Sequence, residues 1–127
     1  MSVSSAYEQP VGFAVCDLAC DEVAGVAVRG EVEIATAPAL MAAVEDAIRR
    51  SHGPFVIDMS EVDFLDSTGI HCVVRARALL GREDRALAIL RPRDNVRRVL
   101  TLAGLDDLVP VYASAAELAR ALRPPPS

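Results

Sequence analysis

Apolar positions along the 127-residue chain change their period several times. Near the N-terminus, Phe13 to Leu18 and the Val-rich run Val23 to Gly30 read as two strands, joined by an acidic Cys20-Asp21-Glu22 turn. From Leu40 the period lengthens. Leu40, Met41, Val44, Ala47 and Ile48 recur at three-to-four spacing, with Glu45, Asp46, Arg49 and Arg50 facing away. That spacing predicts an amphipathic helix, with Thr36 as N-cap, Pro38 in its first turn and Gly53 as a left-handed stop. Phe55 to Ser60 is a short, nearly continuous apolar run, as expected of a buried parallel strand.

A further strand-like pattern, Val62, Phe64 and Leu65, runs into Asp66-Ser67-Thr68-Gly69, after which 68–81 reads as a second helix closed by Gly81. "RALAIL" (85–90) predicts another buried strand. Asp94 is the expected cap of a third helix, with Val96, Val99, Leu100 and Ala103 on one face and Gly104 as its stop. Residues 108–112 suit a short edge strand in which Pro110 is tolerable. Ser114 and Glu117 form a capping box for a last helix, with Leu118 and Leu122 inward. The order β-β-α-β-α-β-α-β-α predicts one α/β domain, a mixed and mostly parallel sheet of about five strands packed with four helices. The expected domain spans 11–122, between a loose tail at 1–10 and a Pro-rich tail at 123–127.

Composition narrows the chemistry. Hydrophobic residues make up 52% and charged residues 24%, which suits a folded chain. No apolar run approaches the ~18 residues that cross a bilayer, and the first ten residues lack a secretory pattern. The expectation is a cytoplasmic protein without membrane contact. A net charge of −5 argues against nonspecific nucleic-acid binding. The charge is uneven: residues 1–70 carry three Arg against twelve acids, and 71–127 carry ten Arg against six. Such polarity suits a protein partner with charged patches of its own. The chain has no lysine, which excludes Schiff-base, P-loop and receiver-domain mechanisms that need one. Cys16, Cys20 and Cys72 have no zinc-knuckle spacing and read as reduced thiols; no metal or cofactor is expected.

Enzyme patterns find little support. Ser67 lies outside any G-x-S-x-G elbow, and no Gly-rich phosphate loop is present. His52 reads as a surface loop residue. Asp58 ends a strand as a receiver phosphoacceptor would, but the acidic pair and the late lysine of receivers are missing. A nucleophilic Ser67 would need a base within ~3 Å, and only His71, without an evident orienting carboxylate, is near.

Ser67 has a second reading. As an N-cap it would accept hydrogen bonds from first-turn N–H groups. Counted at ~100° per residue, Ser67, His71, Arg75, Ala78 and Arg82 fall on one polar, partly basic arc, opposite apolar Val73, Ala76 and Leu80. Gly69 in the first turn costs stability unless a close approach requires it. A hydroxyl so displayed is a sound phosphoacceptor: a phosphate would gain from the free N–H groups of a helix N-terminus. It would add roughly −1.5 to −2 charges beside Asp63 and Asp66.

With these residues in place, "VDFLDSTGIHCV" (62–73) resembles the phosphorylation segment of STAS-domain anti-anti-sigma factors, the bacterial antagonists of anti-sigma factors. "VRGEVEIATAPAL" (28–40) is similar to that family's Gly-Glu-Leu-Asp-x-x-Thr-Ala segment. Residues 91–122 resemble its third helix, last strand and last helix. The resemblance implies that Ser67 is phosphorylated by a cognate anti-sigma factor with GHKL-type serine kinase activity. It further implies that a PPM-type phosphatase reverses the modification. The unphosphorylated form would bind the kinase and free the sigma factor, and phosphorylation would break that complex. The implied partner face is Glu33, Thr36, Asp66, Ser67, Thr68, Gly69, His71 and Arg75. A STAS module serving a stress-signalling or lipid-transport assembly could use the same face without a sigma factor. Two departures stand out. Glu33 replaces the family's Asp, and Ile70-His71 replaces its frequent Leu-Gly, which sets an imidazole one turn from Ser67 where it could pair with a phosphoserine.

Overall fold

The computed structural model describes residues 12–18 and 23–122, so the expected tails and the Cys20–Glu22 turn fall outside the described residues. Five strands and four helices follow in the expected order: β1 (Ala14–Asp17), β2 (Ala24–Val32), α1 (Ala37–Arg49), β3 (Phe55–Leu65), α2 (Ser67–Gly81), β4 (Leu87–Leu90), α3 (Asp94–Leu102), β5 (Val111–Tyr112) and α4 (Ala115–Leu122). The strands lie side by side in chain order. β1 is antiparallel to β2, and the remaining pairs are parallel.

That simple order has a consequence for the layers. When every crossover steps the same way with the same hand, each crossover helix lands on the same face of the sheet. Leu40 and Val44 of α1, Val73, Ala76 and Leu80 of α2, and Val96 and Leu100 of α3 accordingly share one core with Val26, Phe55, Ile57 and Ile89. The opposite face carries a smaller cluster in which Leu118 of α4 covers Val56, Ala88 and Leu90. Among the described residues strand order never reverses, so their sheet lacks the switch-point crevice at which doubly wound folds bind small ligands.

Several local expectations change. Residues 55–60 and the Val62–Leu65 pattern are one continuous strand. Arg85 and Ala86 stand outside β4. The Arg85 side chain is buried and donates to Ile48 O at 2.9 Å, Gly53 O at 2.8 Å and Ser51 Oγ at 2.8 Å, so it caps the end of α1. Gly81 is the last residue of α2, and the left-handed residue that follows is Asp84, at φ 58°. Asp94 is the first helical residue of α3; Arg93 holds the cap position without a side-chain cap bond. Gly104 is left-handed as expected, but the chain then makes an unanticipated 3-10 turn, Leu105–Asp107, that buries Leu105. Ala103 and Leu122 are exposed rather than inward. The capping box of α4 forms, with Glu117 N–H donating to Ser114 Oγ at 3.1 Å and the Glu117 carboxylate accepting from Ala113 N–H at 3.2 Å.

Candidate functional site

The site grows from the far end of β3. Pairing with β2 runs regularly to Ala27↔Asp58, resumes at Arg29↔Glu61 and Gly30↔Val62, then shifts again to Glu31↔Phe64 and Val32↔Leu65. Each shift inserts one extra residue in β3, and such bulges re-aim a strand end. Neighbouring groups fix them. Asp58 Oδ1 accepts from Ser60 N–H at 2.9 Å, and its Oδ2 accepts from Arg91 at 3.0 Å. Arg91 itself is left-handed, with φ 54°, and its N–H donates to Tyr112 O at 2.8 Å. Arg93 pairs with the Asp63 carboxylate and donates to Ser60 O, while Asn95 donates to Asp63 O at 2.8 Å. The β4–α3 segment thus holds the bulged strand end from which Asp66 and Ser67 emerge.

Asp66, not Ser67, is the N-cap of α2. Its backbone is extended, and its Oδ1 accepts from Thr68 N–H at 2.9 Å and Gly69 N–H at 3.4 Å. Ser67 becomes the first helical residue and its side chain is exposed. The cap role moved because a carboxylate one residue earlier reaches the same donors, and only one group can accept them. Gly69 is buried, and a Cβ there would lie 2.8–2.9 Å from side-chain carbons of Leu65 and Val32. The missing side chain lets the first turn of α2 close onto the ends of β2 and β3.

The same strand ends bring the β2–α1 loop alongside. Asp66 N–H donates to Val32 O at 3.2 Å. In the loop, Glu33 turns its carboxylate onto Ala35 N–H at 2.8 Å. Thr36 Oγ1 accepts from Glu33 N–H at 3.0 Å and donates to Glu31 O at 2.7 Å. Thr36 occupies the N-cap position of α1 without capping it, and its side chain is 2% exposed.

Of the expected partner-facing residues, Ser67, His71 and Arg75 are exposed, and Glu33, Asp66 and Thr68 are half-buried. Thr36 and Gly69 are buried and cannot offer side-chain surface to a partner; they shape the site from beneath, a correction to the sequence reading. Arg75 is tied across to α1, its Nε donating to Glu45 Oε2 at 3.0 Å. The expected polar arc of α2 is exposed throughout, and Val73, Ala76 and Leu80 are buried as expected.

Two residues escaped the sequence reading. Ile34, in the loop after Glu33, is 77% exposed, and Val74, seven positions after Ser67 and so on the same helical face, is 44% exposed. The signal for Val74 was present in the helical count, since Val74 lies only ~20° from Ser67 on the wheel. Ile34 gave none, because nothing in a loop sequence marks a side chain as uncovered.

Charge and space describe what this surface can do. Glu31, Glu33, Glu61, Asp63 and Asp66 gather at this end of β2 and β3, with Arg29 and Arg93 as the nearby cations of those strands and the β4–α3 segment. Beneath α2 lies an apolar cavity of about 10 Å³ lined by Val32, Leu65, Gly69 and Cys72 among others. It has room for one water and no substrate. Burial, and secondarily the Asp66 charge, pushes the Cys72 thiol above its usual range. Cys16 is exposed and Cys72 half-buried, both as free thiols; Cys20 lies outside the described residues. Among the described residues, no group of three or more His, Cys, Asp or Glu side chains could hold a metal ion. No described helix is long and apolar enough to cross a membrane.

Comparison with known proteins agrees with this fold. The family profile described as "Mlab, STAS domain" matches residues 19–110. An anti-sigma-B factor antagonist of Staphylococcus aureus is 29% identical over 86 residues, covering 68% of this chain and 80% of the relative. The crystal structure of an anti-sigma factor antagonist from Mycobacterium paratuberculosis superposes with a TM-score of 0.80 at 31% identity, covering 91% of this chain and 97% of that one. The Bacillus cell fate determinant SpoIIAA, solved in its phosphorylated form, shares the fold with a TM-score of 0.63 at 19% identity, over 87% of this chain and 99% of that one. The chain belongs to the STAS-domain family, with anti-sigma factor antagonists among its relatives.

Proposed function

We propose that this protein is an anti-sigma factor antagonist switched by phosphorylation of Ser67. Unphosphorylated, it binds an anti-sigma factor with GHKL-type serine kinase activity in the cytoplasm and frees the sigma factor. Phosphorylation breaks that complex, and a PPM-type phosphatase restores it. The observation that carries the reading is the exposed Ser67 hydroxyl at the head of α2, on a surface rimmed by Glu33, Ile34 and Val74. An apolar residue beside charged ones is the composition of a protein-binding patch. The phosphorylated form of the Bacillus relative and the names of the sequence relatives favour the same reading.

The chemistry belongs to the partner. A nucleophilic serine needs a positioned base, which in turn needs an orienting group. Among the described residues, no side-chain hydrogen bond engages His71, the nearest candidate. This chain need only present the hydroxyl.

The test is an ATP-dependent phosphorylation assay with a candidate kinase, followed by mass-spectrometric localisation. Phosphate is expected on Ser67 alone, and Ser67→Ala should abolish its uptake. In calorimetry Ser67→Ala should retain binding to the anti-sigma factor, and Ser67→Asp should lose about tenfold or more. Equal affinity of Ser67→Asp and wild type would rule the switch out. A second reading is a STAS module of a stress-signalling or lipid-transport assembly, which would use the same face without a sigma factor. That reading expects binding through the same face that is indifferent to kinase and ATP.

A further inference from the structure

A phosphate on Ser67 meets a helix end whose donors are already in use. Asp66 Oδ1 accepts from the Thr68 and Gly69 N–H groups, and the Ile70 N–H donates to Asp66 O at 3.1 Å. Among the described residues, that leaves the Ser67 N–H as the free donor of the first turn. The anion-binding capacity expected of a helix N-terminus is therefore filled by the protein's own carboxylate. The strand ends nearby add Glu33 and Asp63, so the surroundings are anionic. A dianion placed there needs a cation from elsewhere.

One side chain is placed to supply it. His71 is exposed and lies four residues after Ser67 on α2, so the two Cβ atoms are ~5–6 Å apart. Helical side chains lean toward the N-terminus, which tips the imidazole back over Ser67 and not away from it. Arg75 lies a further turn along and is held by Glu45 of α1 at 3.0 Å. Arg93 is held by Asp63 on the other side of the strand end. The charged groups around His71 are thus Asp66 and Glu33 at the sheet end, and the Arg75–Glu45 pair from α2 and α1.

We propose that His71, as the imidazolium, is the phosphate-pairing residue of the Ser67-phosphorylated state, in place of the helix N-terminus. This rests on Ser67 being the phosphoacceptor. It makes the off state of this protein depend on a single exposed side chain of α2.

The full chain with phosphoserine incorporated at position 67 during translation, without any kinase, tests the idea. Phosphorus NMR follows the second ionisation of the phosphate, and ring resonances follow His71 and His52. His52 precedes β3 while Ser67 follows it, so the strand sets them roughly 30 Å apart and His52 serves as an internal control. The His71 ring should shift on phosphorylation and the His52 ring should not. In His71→Gln the phosphate ionisation midpoint should rise by about half a unit relative to wild type, and His71→Arg should bring it back down. Both substitutions are at an exposed position and should leave the fold intact. Coincident phosphorus curves for wild type and His71→Gln would overturn the proposal. So would a phosphate-dependent change confined to the Thr68 and Gly69 amides, since it would place the phosphate on the helix end. A kinase that leaves Ser67 unmodified would sink the functional reading and leave these outcomes as they stand.

Discussion

Two helices of this domain begin side by side at the same end of the sheet, each with a hydroxyl residue at its start, and the two hydroxyls meet opposite fates. Thr36 before α1 is buried and bonded twice within its own loop. Ser67 at the start of α2 is exposed. The difference lies in the neighbouring acid. Asp66 precedes Ser67 by one residue and takes the capping bonds of α2, which releases the serine for display. Glu33 precedes Thr36 by three and bonds Ala35 N–H, too early in the chain to reach α1's first turn, so Thr36 closes the loop instead. A hydroxyl is available to a partner only where another group has taken over its structural task.

The contrast can be broken most severely at Thr36. Thr36→Val keeps the shape and removes the hydroxyl, leaving Glu33 N–H and Glu31 O without this partner beneath the loop. It should cost about 2 kcal/mol in urea denaturation, and should weaken partner binding by loosening Glu33 and Ile34. Next in size is Asp66→Ala, which deletes the α2 cap and should cost about 1 kcal/mol. Ser67→Ala should change stability by less than about 0.5 kcal/mol. If Ser67→Ala proved costlier than Asp66→Ala, the assignment of cap and display would be inverted.

Cys72 gives a gentler probe of the same helix end. Its thiol is held protonated, first by burial and then by the Asp66 charge. Alkylation of Cys72 should be slower than that of exposed Cys16 at pH 8, with a rate still climbing above pH 9 as the thiolate forms. Asp66→Asn removes the repelling charge and should speed Cys72 by about twofold, a Coulomb effect at high effective dielectric. An unchanged rate would place Asp66 too far away to act on the thiol.

Much of this was legible in the chain. The element order followed from the alternation of short apolar runs with three-to-four spacing, because a strand buried on both faces and an amphipathic helix impose different periods. The inward faces of α1 and α2 followed for the same reason. Gly69 could be read as the mark of a close approach, and Leu65 and Val32 are what it approaches. Ala103 and Leu122 were misread because the ends of short helices run past the sheet that would cover them. The two bulges of β3, the left-handed Arg91 and the role of Arg85 were not legible, since each depends on a partner some thirty residues or more away.

By itself the sequence determined the α/β order, the single run of polar residues on α2 and the serine at its head, because these depend on local period and local chemistry. Only the tertiary structure decided that Asp66 and not Ser67 caps the helix, that Thr36 and Gly69 lie beneath the surface, and that Ile34 and Val74 lie on it. Those outcomes turn on which groups compete for the same donors and which side chains find cover once β2 and β3 end together. No local pattern encodes that competition.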